Sequence, residues 1–368
     1  MEPTQEPIKK TFSVWYVIIL VFLLALCGIG GWYYLASNQK IEKQENVVAT
    51  AERLQFDLES GDTLAAIEKG EAALEDITNS ETDIPALVYL ARAYLQDGNE
   101  SYNEEISAEK AFVVIEKILE IEPELAEAHR LKGYAYEITN NFDAAVASYK
   151  QALEFDSNYA LVYAHIGHVA SLLGEKEEAY NYYDLALSLD SGIELAQFGI
   201  AYILYEEKEY DDVQDILNTI KNNSDKAITI SEVEMLEGLM ALEKGSYTEA
   251  VEKLEAATET NSQNAQAWAA LSTAHIATIV TSNNPDLELS NKRTRIEQII
   301  QLALDIHPQN TYAMGNRGNV YALKGDCEFA IDYYEQARNG VPDDITLGVV
   351  EKNNAIIYLN NAITNCSL

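Results

Sequence analysis

The chain is short of the residues on which small-molecule chemistry usually rests. Its 368 residues include three cysteines and five histidines. Cys27 lies in an apolar run, while Cys327 and Cys366 stand alone, so there is no disulfide framework and no CxxC pair. A glycine-rich phosphate loop and a nucleophile elbow are both missing. Seven prolines and 18 glycines are too few for a collagenous or low-complexity chain. Basic residues are scarce: 25 Lys and Arg stand against 60 Asp and Glu, a net charge of −35. That charge repels phosphate backbones, so nucleic acid is not expected as a partner. Carboxylate pairs are everywhere in so acidic a chain and therefore single out no site. Period-two alternation is rare, and Ala, Leu, Glu, Lys and Tyr dominate, which predicts an all-α chain.

Charge is absent altogether from Thr11 to Gln39. The heart of this stretch, Val14 to Ala36, is an apolar run of 23 residues. About 20 such residues span a bilayer core. Trp15 and Tyr16 stand at one end and Trp32, Tyr33 and Tyr34 at the other, as in interfacial belts. Residues 14–36 are therefore predicted to be one transmembrane helix behind a short tail, 1–13. Two cleavage readings compete. A signal peptide would start at Lys9 and Lys10, but the run continues past any cleavage region into Trp32–Ala36. A lipoprotein-type cut before Cys27 would need a small residue where Leu26 stands. Lysines flank the run on both sides (Lys9 and Lys10; Lys40 and Lys43), so the positive-inside rule leans only slightly. The expectation is a single-pass protein with its N-terminus in the cytoplasm and the long acidic part outside. Cys327 and Cys366 are expected as free thiols, with pairing open if that part lies outside.

Beyond the apolar run, the chain repeats itself. Gly133 and Gly167 are 34 residues apart, and Ala145 to Ala179, Tyr149 to Tyr183 and Ala152 to Ala186 keep the same step. A fixed period of this size marks stacked helical units. One copy carries Gly133, Tyr136, Ala145, Tyr149 and Ala152; the next carries Tyr163, Gly167, Ala179, Tyr183 and Ala186. A later one has Gly238, Ala241, Ala250, Leu254 and Ala257, and the last has Met314, Gly318, Tyr321, Ala330, Tyr334, Ala337 and Pro342. In these residues the chain resembles the tetratricopeptide repeat family. The resemblance implies a right-handed α-solenoid of helix-turn-helix units, preceded here by the transmembrane helix. Small residues let paired helices approach, and Tyr and Leu fill the gaps between neighbouring hairpins.

Eight repeats are expected, at 47–80, 84–123, 126–159, 160–193, 194–227, 231–264, 265–310 and 311–344. Extra residues near "DGNESYNEE" and "TSNNPDLELSNKRTR" are expected as surface loops. The second contains the basic cluster Lys292, Arg293 and Arg295. Residues 345–368 are expected as a capping helix and tail, since a stack must cover its end.

No catalytic residue, metal ligand or cofactor is predicted. His165 and His168 share one helical face, but two histidines without a third ligand make a weak metal signal. His129 occupies a bulky slot and is expected to pack in the core. In the family the inner groove is lined by the first helices of the repeats. The matching positions here are Arg92, Arg130, Tyr134, His168, Leu195, Phe198, Tyr202, Tyr205, Met235, Leu239 and Leu242. The apolar and aromatic middle of this strip suits burial of a peptide or helix, and packing of these side chains on one another is the competing reading. Some family members clamp a chaperone's terminal carboxylate with Lys and Asn, but here those slots hold Arg130 with Tyr134 and Gly315 with Asn319. The reading is a non-enzymatic, membrane-anchored scaffold that binds proteins or peptides in an envelope, secretion or pilus-type assembly. A cytosol-facing anchored receptor or co-chaperone, and a regulatory or metal-binding subunit of an enzyme, stay open beside it. The oligomeric state is not legible.

Overall fold

A computed structural model describes residues 46–367, apart from 48, 75–76, 78–79, 102, 345–346 and 348. The run 14–36 and its flanks lie outside the described residues. Among the described residues there is no strand, and no helix is long and apolar enough to cross a membrane.

The chain divides into two units, Met1–Leu90 and Ala91–Leu368. In the first, residues 49–59 (α1) and Thr63–Ala73 (α2) form a helical hairpin. Asp62 caps α2 by accepting from the Ala65 amide at 3.1 Å. Leu54, Ala66, Leu87 and Leu90 are buried there, and Gly70 lies against Leu90.

Helix α3 (Ile84–Ser101) leads into the second unit, and α4 (Glu104–Ile121) follows. Five helical hairpins come next: α5 (Ala126–Ile138) with α6 (Phe142–Phe155), α7 (Ala160–Leu172) with α8 (Lys176–Leu189), α9 (Glu194–Glu207) with α10 (Tyr210–Asn223), α11 (Ala227–Glu243) with α12 (Tyr247–Thr260), and α13 (Ala265–Val280) with α14 (Pro285–Ile306). The last hairpin, α15 (Thr311–Leu323) with α16 (Cys327–Gly340), is followed by α17 (Val349–Ser367).

The repeated residues do what their types allow. The ring of Tyr149 covers Gly133 and that of Tyr334 covers Gly318; a Cβ at either glycine would come within 2.5 Å of the ring. Leu254 does the same at Gly238. The hairpin turns need one residue at positive φ, found at Asn140 (57°), Gly174 (82°) and Lys208 (66°), at the 34-residue step of the repeat. Lys208 pays a steric cost there that glycine does not. Lys208→Gly should therefore raise the denaturation free energy by about 1 kcal/mol, measured by urea unfolding. Between hairpins the chain turns on a short polar side chain: Asp156, Asp190 and Asn261 each accept from the amide two residues on, at 3.1, 2.9 and 3.1 Å.

Two stretches expected as loops are helical. The residues near "DGNESYNEE" extend α3 to Ser101, and α4 begins at Glu104. The longer insert is the first half of α14, a helix of 22 residues. Asn284 caps it, Pro285 stands in its first turn, and Leu289 and Ile296 bury one face. Lys292–Glu288 and Arg293–Glu297 are paired one turn apart along it, at 3.1 and 2.7 Å, so the basic cluster is largely spent on its own helix.

Cys327, at the start of α16, is bonded to Cys366, near the end of α17, which corrects the expectation of free thiols. Antiparallel packing of the two helices brings their Cα atoms to 5.2 Å. Ala355 and Leu359 of α17 are buried with Tyr334 and Ala337 of α16. The bond closes a loop of 39 residues. Cys366→Ser should lower the stability of this end by about 2–4 kcal/mol, visible as lost hydrogen-exchange protection in α17.

A candidate binding face on the first helices

Within the second unit, successive first helices pack on one another: α5 on α7, α7 on α9, α11 on α13 and α13 on α15. No pair of second helices does so to the same degree among the described residues. Closer spacing of the first helices bends the stack toward them, so their free sides line its inner face.

The first polar site on that face is built by α5. Residues 127, 130, 134 and 137 recur at helical spacing and share one side. Glu127 takes Arg130 in a two-pronged contact, Nε to Oε2 at 2.7 Å and Nη2 to Oε1 at 2.8 Å. Arg92 of α3 donates its Nε to the same carboxylate at 2.8 Å, and the Tyr159 hydroxyl donates as well. Burial would raise the Glu127 carboxyl, but hydrogen bonding to Arg130 and the charges of Arg130 and Arg92 hold it at about 2. Arg130 is only 6% exposed and bound through Nε and Nη2, so it is a structural ion rather than an open contact.

The second site lies at the other end of α5. Glu137 is buried and receives the Tyr149 hydroxyl. His165 Nδ1 stands 3.2 Å from Glu137 Oε2, and His168 Nδ1 2.8 Å from Oε1. His165 stacks on Tyr149 and leans on Tyr134, with centroids 5.2 and 5.1 Å away. Burial works against the Glu137 charge, yet the two histidines outweigh it and keep the carboxyl below its usual range. The histidines split: burial pushes His165 down despite Glu137, whereas His168, also opposed by burial, is pushed up by Glu137 and by Glu351. His165 and His168 thus meet on one face, but around a carboxylate. Among the described residues no cluster of His, Cys, Asp and Glu is arranged to hold a metal ion.

The third site is aromatic. Phe198, Tyr202 and Tyr205 run along one side of α9, and Leu239 faces them from α11; all four are half-buried against Ala201, Leu217 and Leu236. Leu195 packs on the neighbouring cluster with Tyr183, and Leu242 on the one with Leu254. Met235 is 6% exposed and belongs to the core, so the expectation that it lines the face is corrected. The Tyr202 hydroxyl donates to Glu232 of α11. Asn319, in the clamp slot of α15, is occupied from within: its Oδ1 accepts from Tyr334 at 2.8 Å and from Tyr358 at 2.9 Å. His129 is buried, as expected, with Nε2 on the Pro123 carbonyl at 2.8 Å.

Sequence reasoning passed over Glu127, Glu137, Glu232 and Tyr159. The spacing of 127, 130, 134 and 137 was there to find, but one carboxylate among 60 acidic residues carries no mark of its own.

Comparison with known proteins agrees with this architecture. A model described as TPR repeat matches residues 133–174, and one described as tetratricopeptide repeat matches 160–192. Superkiller complex protein 3 of Mus musculus is 22% identical over 278 residues, 73% of this chain. The chain spans 16% of that relative's length. Among solved structures, the APC/C hetero-tetramer Cut9-Hcn1 superposes with a TM-score of 0.57 at 13% identity, over 81% of this chain and 52% of that one. A monomeric mutant of IFIT1 with Gppp-AAAA superposes with 0.54 at 14% identity, over 89% and 82%. Residues 133–192 are therefore tetratricopeptide repeats, set among further paired helices of the described residues.

Proposed function

We propose that this chain is a non-enzymatic scaffold that holds a protein or peptide partner against the first helices of its repeats. The observation that carries this reading is the half-buried stripe Phe198, Tyr202, Tyr205 and Leu239 on the inner face. Rings with one side packed and one side open provide rigid apolar area that a partner can cover at low entropic cost. The Gppp-AAAA of the IFIT1 structure is not carried over, because a net charge of −35 opposes a phosphate chain. The test is a photo-crosslinking amino acid placed at Tyr205 or Leu239 and, separately, at the outward Val113 and Leu185. Crosslinks confined to the inner positions are expected. Equal crosslinking from the outer helices would move the binding face.

The apolar run 14–36 anchors the scaffold in a membrane, and the repeats lie outside the cytoplasm, in an envelope, secretion or pilus-type assembly. Two features support this placement: the length of the run, and the bond between Cys327 and Cys366, which persists in oxidising compartments. A single cysteine at exposed Asn283, with Cys27, Cys327 and Cys366 replaced by serine, reads the topology. Labelling of intact cells or spheroplasts by an impermeant maleimide is expected. Labelling only after lysis would favour the cytosol-facing receptor instead.

A further inference from the structure

Among the described residues, Glu232 of α11 is a half-buried carboxylate with no ion pair. On α11, Glu234 reaches Lys221 at 4.0 Å, Glu237 reaches Lys253 at 2.8 Å and Glu243 reaches Lys208 at 3.9 Å. Elsewhere on the first helices, Glu127 holds two arginines, Glu137 two histidines, and Glu194 takes Lys226 at 3.5 Å. Glu232 is different. Among the described residues its partner is the Tyr202 hydroxyl, and no Lys, Arg or His is paired with it. Burial pushes its carboxyl up, and the single hydrogen bond from Tyr202 does not offset that cost. Leaving a shielded carboxylate without a cation is expensive, and a fold that has lysines for its neighbours has none here.

The surroundings of Glu232 are rings. Tyr202 touches it, and Phe198 and Tyr205 stand one turn to either side of Tyr202 on α9. Tyr312, half exposed on α15, lies near enough to Tyr205 to add to the upward push on its phenol. Glu351 of α17 puts a second negative charge toward Tyr202 and Tyr312. His168, which Glu351 also influences, has its Nδ1 committed to Glu137. Ring faces and a low-dielectric carboxylate both attract a cation, and an ammonium or guanidinium group satisfies both together. An apolar side chain would cover the rings but leave Glu232 still less solvated.

We propose that Glu232, with the rings of Phe198, Tyr202 and Tyr205, is a receptor for one lysine or arginine side chain of the bound polypeptide. The partner brings the cation that α11 lacks at this position. The acidic surface of the whole chain adds long-range attraction for a basic segment. This rests on the reading of the first-helix face as the binding face, and adds to it what the occupant must carry.

The test uses the purified full chain and an array of short peptides of random sequence. Each peptide is made in four matched versions, with arginine, lysine, citrulline or norleucine at its centre. The arginine and lysine versions should bind about tenfold more tightly than their matched neutral versions, and the preference should weaken with salt. Glu232→Gln keeps the size of the side chain and an acceptor for Tyr202; it should remove most of the preference, leaving only the salt-screened part that the chain's overall charge supplies, while neutral peptides bind as before and the helical circular dichroism stays unchanged. Tyr205→Leu, which removes a half-exposed ring without touching Glu232, should reduce the preference and serves as the second variant. Peptides that bind wild type with no preference, or a preference that survives Glu232→Gln undiminished, would overturn the cation receptor and leave the binding face standing. If no peptide in any version bound, the binding face itself would fall, and the receptor with it.

Discussion

Replacing Tyr183 by alanine is expected to cost about 3–5 kcal/mol. The ring is 1% exposed and closes two gaps at once. A Cβ at Gly167 of α7 would come within 2.9 Å of it, and one at Gly199 of α9 within 2.2 Å. The side chain therefore fills both the inside of its own hairpin and the junction with the next one. In a stacked array, stability is close to a sum of unit and neighbour terms, so one truncation here weakens two terms. Neither glycine carries a side chain that can swing in to fill the space. Hydrogen exchange should show α7, α8 and α9 losing protection together while α15 and α16 keep theirs. Urea unfolding should show the loss directly. A cost below about 1 kcal/mol would mean that the helices collapse onto the cavity and that the glycines are not holding them apart. The complementary change, Gly199→Ala, should also destabilise, because the Tyr183 ring has no free rotamer space between the two helices.

Glu127→Ala is the second large effect, at about 3–5 kcal/mol. Its size comes from what is left behind. Arg130 would remain 6% exposed with its charge answered only by the Tyr159 hydroxyl. Glu127→Leu combined with Arg130→Leu should cost much less, since it removes the charge pair together. A double variant as unstable as Glu127→Ala would show that packing, not charge, sets the loss. The same pair predicts a pH response. The Glu127 carboxyl sits at about 2 in the fold against an ordinary 4.5, so its contribution is fully present above pH 4.5. It fades as pH falls toward 2, for a total of about 3 kcal/mol. Wild type should lose stability across that window, and the double leucine variant should lose less. Equal acid sensitivity in both proteins would count against the pair.

The hairpins were largely legible because their code is local and periodic. Gly133, Tyr149, Gly167 and Tyr183 announce close helix crossings by type and spacing alone. The same habit misread the longer insert: "TSNNPDLELSNKRTR" looks polar and irregular, yet Asn284 and Pro285 start a helix there and Leu289 and Ile296 hold it down. Capping and two buried side chains outweigh a polar composition. At the inner face the reading was half informative. Arg92, Arg130, Tyr134 and His168 were found as a set, but their meaning changed once their partners were visible. Arg130 is spent on Glu127 and His168 on Glu137, while Met235 turns into the core.

The sequence by itself determined that this protein is a stack of paired helices with tetratricopeptide repeats, because a 34-residue period of small and aromatic residues admits little else. It also determined a strongly acidic surface, because 60 acidic residues cannot be hidden. The tertiary structure alone decided which carboxylates are answered. Glu127 and Glu137 of α5 and Glu232 of α11 are the same residue type on first helices of the stack. Among the described residues, one meets two arginines, one two histidines, and one a tyrosine hydroxyl alone. Those partners come from helices as far as 35 residues away in the chain, and a charge's energy depends on the few ångströms that folding sets.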